Sequence, residues 1–310
     1  MGTLATLVGS SAVADSILVT GAQGFVGEHL LAHLQGRGLP TEADVTDARA
    51  LADAIAQAGP DAVVHLAAAS SVGASWEDAP ETWRVNAVGT VNVLEAVRAQ
   101  APNARVLVAS TGDVYGQADM IPTPETSPFR PVSPYAASKA AAELASEQAR
   151  RAGLNVVVSR AFQHEGPGRD ERFAVGSWAA QIARAEESGG GVVEVGDLTP
   201  RRDISDVRDV CRAYSALLDR GVAPDTYNIA SGRSVEMREV LDILVGLARC
   251  QIEVKEDPAR RRAADIRELC GDPARLRAAT GWAPTIPLEQ TLADVLESAR
   301  QALAERMASA

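Results

Sequence analysis

The chain has little of what marks a secreted, membrane-bound or nucleic-acid-binding protein. It carries only three cysteines in 310 residues. Cys211, Cys250 and Cys270 lie far apart, and an odd, scattered set is neither a disulfide framework nor a zinc-ligand spacing. That usage fits a reducing, cytoplasmic setting. Apolar runs are short, none approaching the roughly 18 residues of a membrane span. Residues 1–16 lack the basic start of a secretory signal, and residues 1–15 read as a flexible leader. Positive charge is in deficit, with 30 Lys and Arg against 41 Asp and Glu and a formal charge of −11. Such a balance argues against a nucleic-acid or anionic-membrane partner, since phosphate attraction needs a basic surface. The four histidines, His29, His33, His65 and His164, follow no metal-ligand pattern, and no metal is expected.

What remains is a chain with 46% hydrophobic residues, long enough for one large core and a smaller lobe. Residues 17–20 (ILVT) form a short apolar run ended by glycine, and residues 25–34 repeat apolar positions at helical spacing, which reads as strand, tight turn, helix. Further strands are expected over 62–66, 105–109 and 155–159, each continuous in apolar character rather than alternating. Strands of that kind are buried on both sides, as in a parallel sheet covered by helices. Helices are expected over 48–58, 82–100, 134–152 and 173–187. The chain therefore reads as α/β, a doubly wound parallel sheet of the Rossmann kind. Residues 16–165 form the dinucleotide-binding domain, to which later segments return. Residues 166–310, punctuated by Gly189–Gly191 and several prolines, form mainly a smaller mixed lobe for substrate.

Gly21, Gly24 and Gly27 in TGAQGFVG sit between strand and helix. Glycine permits the tight turn and close backbone approach, and free N–H groups at a helix start attract a pyrophosphate. About 20 residues on, Glu42 and Asp44 offer carboxylates to a ribose or adenine edge. Whether the cofactor is NAD or NADP stays open, because no dedicated arginine follows the second strand. Tyr135 and Lys139 lie four apart in YAASK on an expected helix, so both reach one side of it. There an ammonium, together with a nicotinamide ring, would lower the tyrosine pKa and suit it to proton transfer. Ser110 and Thr111 add a hydroxyl pair at a strand end.

With these motifs in order, the chain resembles the extended short-chain dehydrogenase/reductases, the NAD-dependent epimerase/dehydratase family that acts on nucleotide sugars. The resemblance runs from Ile17 onward and is carried by TGAQGFVG, DVTD (44–47), HLAA (65–68), Asn86 in VNAVGT, STGDVYG (110–116), YAASK and GPG (166–168). It implies that Gly21, Gln23, Gly24, Phe25, Val26, Gly27, Asp44, Val45, Leu66, Ala67, Ala68 and Asn86 serve the cofactor, NADP or NAD, together with Tyr135 and Lys139. It implies Tyr135 as the acid/base, Lys139 as its partner and Thr111 as the hydroxyl on the reacting oxygen, with Ser110 and Asp113 as further catalytic candidates.

The second half is most similar to the branch that reduces GDP-linked 4-keto-6-deoxyhexoses at C4, which implies Gln163, His164, Arg202, Arg262 and Asp265 as substrate contacts. Departures stand at Gln163, Asp197 and Ala263. Rival activities are a 4,6-dehydratase or a 4-epimerase, both using internal redox, and a non-catalytic dinucleotide-binding protein. Dehydratases of this kind carry a glutamate two residues after the threonine, often with an acid between. Here those positions are Asp113 and Gly112. The family also implies a homodimer through the helices at 82–100 and 134–152, the second of which is rich in alanine.

Overall fold

The computed structural model describes residues 14–219, 222–260 and 266–309. Of the expected leader only Ala14 and Asp15 fall among these, and Ala14 is buried against the core.

Strands form where the β-branched runs stand: β1 (Ile17–Thr20), β3 (Ala62–His65), β4 (Arg105–Thr111) and β5 (Val156–Ala161) are buried almost throughout. Between them lie α1 (Phe25–Leu34), β2 (Gly38–Thr41), α2 (Ala48–Ala58), α3 (Val72–Glu77), α4 (Ala79–Trp83), α5 (Gly89–Gln100) and α6 (Pro134–Arg151). A six-stranded parallel sheet runs in the order β2-β1-β3-β4-β5-β9, its last strand β9 being Thr226–Ile229. The order reverses between β1 and β3, the switch point at which open α/β sheets bind ligands. Ile17 and Val19 pack with Leu30, Leu34 and Tyr214 on one side of the sheet, while Leu18 and its neighbours pack with Leu51, Ile55 and Val97 on the other. This two-residue alternation inside a continuous apolar run is what burial on both sides requires.

Two sheet strands carry no apolar run. β2 reads GLPT, and its proline is tolerated because the strand is at the sheet edge. β9 arrives from far along the chain, as does α8 (Val207–Leu217), whose apolar side completes the core under α1.

The continuous helix expected over 82–100 is broken. After α4 the chain makes a π-helical turn, Arg84–Val88, in which the Gly89 N–H bonds the Arg84 carbonyl, and only then begins α5. The extra residue in that turn accompanies the inward burial of Asn86. Gly89 lets the segment close on the loop between β2 and α2, since a Cβ there would stand 2.8 Å from Val45 Cγ2.

The smaller lobe holds β6 (Gln163–Glu165), α7 (Ala174–Glu187), β7 (Gly191–Val195), β8 (Arg201–Asp206), β10 (Ser234–Glu236), α9 (Met237–Gly246), β11 (Ile252–Glu256) and β12 (Glu268–Leu269). β8 pairs with β6, β10 and β12, and β7 with β11. Helices α10 (Ala274–Thr280) and α11 (Leu288–Ala308) follow, and α7, α9 and α11 share one apolar core. The lobe is clasped to the sheet by fully buried Asp209 on α8, whose carboxylate accepts from the N–H groups of Thr285 (2.7 Å) and Ile286 (2.9 Å). Among the described residues no helix is long and apolar enough to cross a membrane.

Candidate active site

The turn after β1 is closed by contacts only glycine allows. Gly21 has φ +68°, and a Cβ on it would lie 2.6 Å from the Ala67 nitrogen. A Cβ on Gly27 would lie 2.4 Å from the Gly21 oxygen. The N-terminus of α1 is thereby pressed against the chain leaving β3. Gly24 caps it without a side-chain bond, so its first N–H groups are available to an anion. This is a cradle that a larger residue would fill, and it suits the pyrophosphate of a dinucleotide.

A cleft of about 1280 Å³ runs from this turn, across the C-terminal ends of the strands, to the smaller lobe. At one end stand Gln23, Asp44 and Val45. Gln23 donates to Glu42 (2.7 Å), and Asp44 accepts from the Thr46 N–H and hydroxyl, which hold its carboxyl below the usual range. Gly21 and Gly24–Gly27, with Phe25 and Val26, form one wall, and Leu66, Ala67 and Ala68 the floor beside it. Thr111, Asp113 and Tyr135 occupy the centre, and Gln163, His164 and Arg202 the far wall. Two residues expected in contact with the cofactor do not line the cleft. Asn86 and Lys139 are 1% and 4% exposed and act from behind it.

Asn86 clamps the wall to α6, the helix of Tyr135 and Lys139. Its amide accepts from the Ala69 N–H (2.8 Å) and donates to the Ala69 carbonyl (3.1 Å) and to Ser138 Oγ (2.9 Å), which itself donates to the Tyr135 carbonyl (2.7 Å). His65 extends the clamp to the cofactor turn, bridging Thr20 Oγ1 (2.8 Å) and Thr90 Oγ1 (3.1 Å). Burial and the charge of Lys139 hold His65 down to about 3, so it is neutral at physiological pH.

The two hydroxyls at the end of β4 separate. Ser110 is committed to the buried Glu143 carboxylate (2.5 Å), whereas Thr111 donates to Asp113 Oδ2 (2.7 Å) and meets the Tyr135 phenol. Both residues line the cleft, but Thr111 is the hydroxyl that meets the phenol, while that of Ser110 is turned to Glu143. The expected lowering of the tyrosine pKa is reversed in the chain itself. Burial, then the Asp113 carboxylate, push Tyr135 up, against weaker pulls from Thr111 and Arg169. The ammonium of Lys139 goes elsewhere, donating to the Ala109 carbonyl at 2.6 Å. Its own pKa is lowered by burial to about 8, with Glu143 opposing the fall.

Of the substrate candidates, Gln163 donates to Glu165 (2.9 Å), and His164 is bonded to the Phe162 carbonyl and stacked on Phe25. Burial foremost, then Arg169, lowers His164 to about 4, which leaves it neutral. Arg202 donates to the Ile266 carbonyl (2.8 Å) beside the cleft, and Asp197 accepts from Thr199 in a tight turn. Arg201 is held on Ser234. Arg262 and Asp265 lie outside the described residues.

The sequence reading missed Arg169. Its guanidinium lies 3.8 Å from the Phe173 ring centre and 5.0 Å from that of Phe25, with Nε 3.0 Å from the buried Glu165 carboxylate, whose pKa burial raises. It lines the cleft and its charge reaches Tyr135. In the sequence it is one arginine in a polar loop, indistinguishable from a surface residue.

A glycine turn at a sheet switch point, with a threonine, tyrosine and buried lysine beyond it, defines a dinucleotide-dependent enzyme of the extended short-chain dehydrogenase/reductase class. The sequence profile of the family described as GDP-mannose 4,6 dehydratase matches residues 40–295, and the chain belongs to that family. It is 38% identical over 291 residues to GDP-6-deoxy-D-mannose reductase of Pseudomonas aeruginosa, covering 90% of this chain and 95% of that protein. It is 29% identical to GDP-mannose 4,6-dehydratase of Yersinia enterocolitica, over 82% of this chain and 76% of that one. Among solved structures, RMD from Pseudomonas aeruginosa complexed with NADPH superposes with a TM-score of 0.86 at 36% identity, over 93% of this chain and 99% of that one.

The buried lysine gives a pH signature. A fall from 10.5 to about 8 costs the charged fold on the order of 3 kcal/mol, offset in part by the bond to Ala109. Below pH 8 the cost is full. Between 8 and 10.5 the unfolded chain holds more protons than the folded one, so stability from this group rises with pH. Lys139→Met should therefore raise the Tm at pH 7, with a gain that shrinks as pH climbs through that window. A gain that is absent or independent of pH in thermal melts would refute the assignment.

Proposed function

We propose that the chain reduces C4 of a GDP-linked 4-keto-6-deoxyhexose with a hydride from NAD(P)H, Tyr135 supplying the proton. The glycine turn and the α1 N-terminus hold the dinucleotide, whose reduced nicotinamide supplies the hydride when bound. Thr111 and Tyr135 meet the C4 oxygen. As the carbonyl becomes an alkoxide, the phenol gives up its proton to that oxygen, and the alcohol leaves with one hydride and one proton added. A phenol kept protonated by burial and by Asp113 suits donation, because it arrives loaded at neutral pH.

The observation that carries reduction over dehydration is the position of Gly112. Loss of water from the sugar needs a further acid, and a Cβ on residue 112 would stand 2.9 Å from the Phe162 ring. A side chain there would require the ring to move, and the remaining carboxylate, Asp113, is engaged by Thr111. The named activity of the 38% identical relative supports the same reading.

The reading expects NAD(P)H-dependent loss of GDP-4-keto-6-deoxymannose and no conversion of GDP-mannose by the purified protein. Tyr135→Phe should cut turnover at least 100-fold while dinucleotide affinity holds. Formation of a 4-keto-6-deoxy product from GDP-mannose without added reductant would instead favour the dehydratase.

We further infer a cytoplasmic homodimer. Cys211, Cys250 and Cys270 are all free thiols, in keeping with a reducing compartment. Trp83, Val88, Val91 and Leu144 are 42–62% exposed on α4, the π-turn, α5 and α6, which pack side by side. An apolar surface on neighbouring helices suits a second copy. Leu144→Asp should shift sedimentation from dimer to monomer, and a wild type sedimenting as a monomer would rule the assembly out.

A further inference from the structure

We propose that the buried ion pair of Glu143 and Arg160 is a positioning device for the reaction: its carboxylate is the counter-charge that keeps Lys139 cationic, and its remaining contacts lock the strand end on which that ammonium rests. The proposal rests on the Tyr135–Lys139 reading above, though not on the identity of the sugar.

The pair lies beneath the end of β4. Glu143 and Arg160 are 4% and 7% exposed. Arg160 Nη2 and Nε donate to Glu143 Oε2 at 2.8 and 3.0 Å, and Nη1 donates to the Tyr115 hydroxyl (2.7 Å) and the Glu125 carbonyl (3.0 Å). The Tyr115 hydroxyl in turn donates to Asn228 Oδ1 (2.7 Å). Glu143 thus stands on a fixed base. Its other oxygen takes the Ser110 hydroxyl, one residue on from Ala109, whose carbonyl accepts Lys139. Four residues along α6 from Lys139, Glu143 projects to the same side of the helix. One carboxylate therefore holds the strand end through Ser110 while its charge acts on the ammonium bonded to the neighbouring residue.

The other charged groups around α6 do not replace it. His65, from β3, is neutral. Asp113, from the turn after β4, and Arg169 act on Tyr135. Arg84, the first residue of the π-turn, is paired with Glu81 at the surface.

A buried ion pair is a weak source of stability, since apolar residues of like volume serve as well or better. Its placement is better explained by what it does to its neighbour. The chain sharpens this point: of its 30 basic residues 28 are arginine, and lysine occurs only at 139 and 255. Arginine stays charged anywhere, whereas a buried lysine stays charged only if its surroundings supply a partner.

Two lysines also make the test direct. Protein labelled with ¹³Cε-lysine gives two side-chain signals, and Lys255→Arg, at an exposed site, leaves that of Lys139 alone. Its titration midpoint should be about 8. Glu143→Gln removes the carboxylate and leaves the Arg160 charge behind, so the midpoint should fall by at least about one unit, a tenfold loss of ammonium above it. Ser110→Ala keeps both charges and should leave the midpoint in place. The double variant E143Q/R160M removes both charges and should fall less than E143Q. It also serves if E143Q does not fold, because it leaves no unpaired buried charge. The alkaline limb of kcat/KM for reduction should move with the midpoint.

A Lys139 midpoint unchanged in E143Q, or in the double variant, overturns the proposal. So does a loss of rate that is uniform across pH. If the protein reduces no 4-keto sugar, the functional reading fails while the titration still decides this one.

Discussion

A lysine ammonium buried at the end of a parallel sheet is the constraint around which the site is built. Lys139 has almost no contact with water, and a charge so placed must be met by polar groups fixed in advance. The Ala109 carbonyl at the end of β4 meets it directly. Glu143 supplies the opposing charge, Arg160 anchors Glu143, and Ser110 ties the assembly to the strand. His65, the nearest titratable group on β3, is kept neutral in part by the same charge. Tyr135 then has its phenol at the cleft beside Thr111, with the Asp113 carboxylate favouring its protonated form.

The cleft itself follows from where the chain can come close. At Gly21 and Gly27 the turn nests against the floor of the sheet. The Phe162 ring is closed in between Gly112 and Gly271, where a Cβ on either glycine would stand less than 3 Å from it. That ring joins the sheet to the smaller lobe and would have to move to admit an acid at position 112. The proposed preference for reduction over dehydration is thus tied to how two lobes of one chain pack.

Much of this was legible in the sequence because it is local. Strand, glycine turn and helix occupy 18 consecutive residues, and YAASK puts tyrosine and lysine on one helix side whatever surrounds them. What could not be read depends on distant partners. The π-turn at Arg84–Val88 answers to Asn86 meeting Ala69 and Ser138, and a helical pattern gives no sign of it. β9 and α8 enter the large sheet and its core from far along the chain. Between Ser110 and Thr111 the resemblance favours the second, but the physical reason is distant in sequence: Glu143 takes the Ser110 hydroxyl, and Thr111 is left to meet Tyr135. In the chain itself the Tyr135 shift runs upward, because burial and the Asp113 carboxylate act on the phenol while the Lys139 bond goes to Ala109. Arg169 and Arg160, both important to the local field, look in the sequence like any other arginine.

The central claim is that hydride from an external dinucleotide ends on C4 of the sugar. It is tested most directly by incubating the protein with GDP-4-keto-6-deoxymannose and NADPH or NADH deuterated at both C4 positions, then reading the product by proton NMR. The account predicts one deuterium at C4 of the sugar, with an equivalent amount of oxidised cofactor. A product that carries deuterium elsewhere or none at all, or that forms without net oxidation of the cofactor, would contradict it.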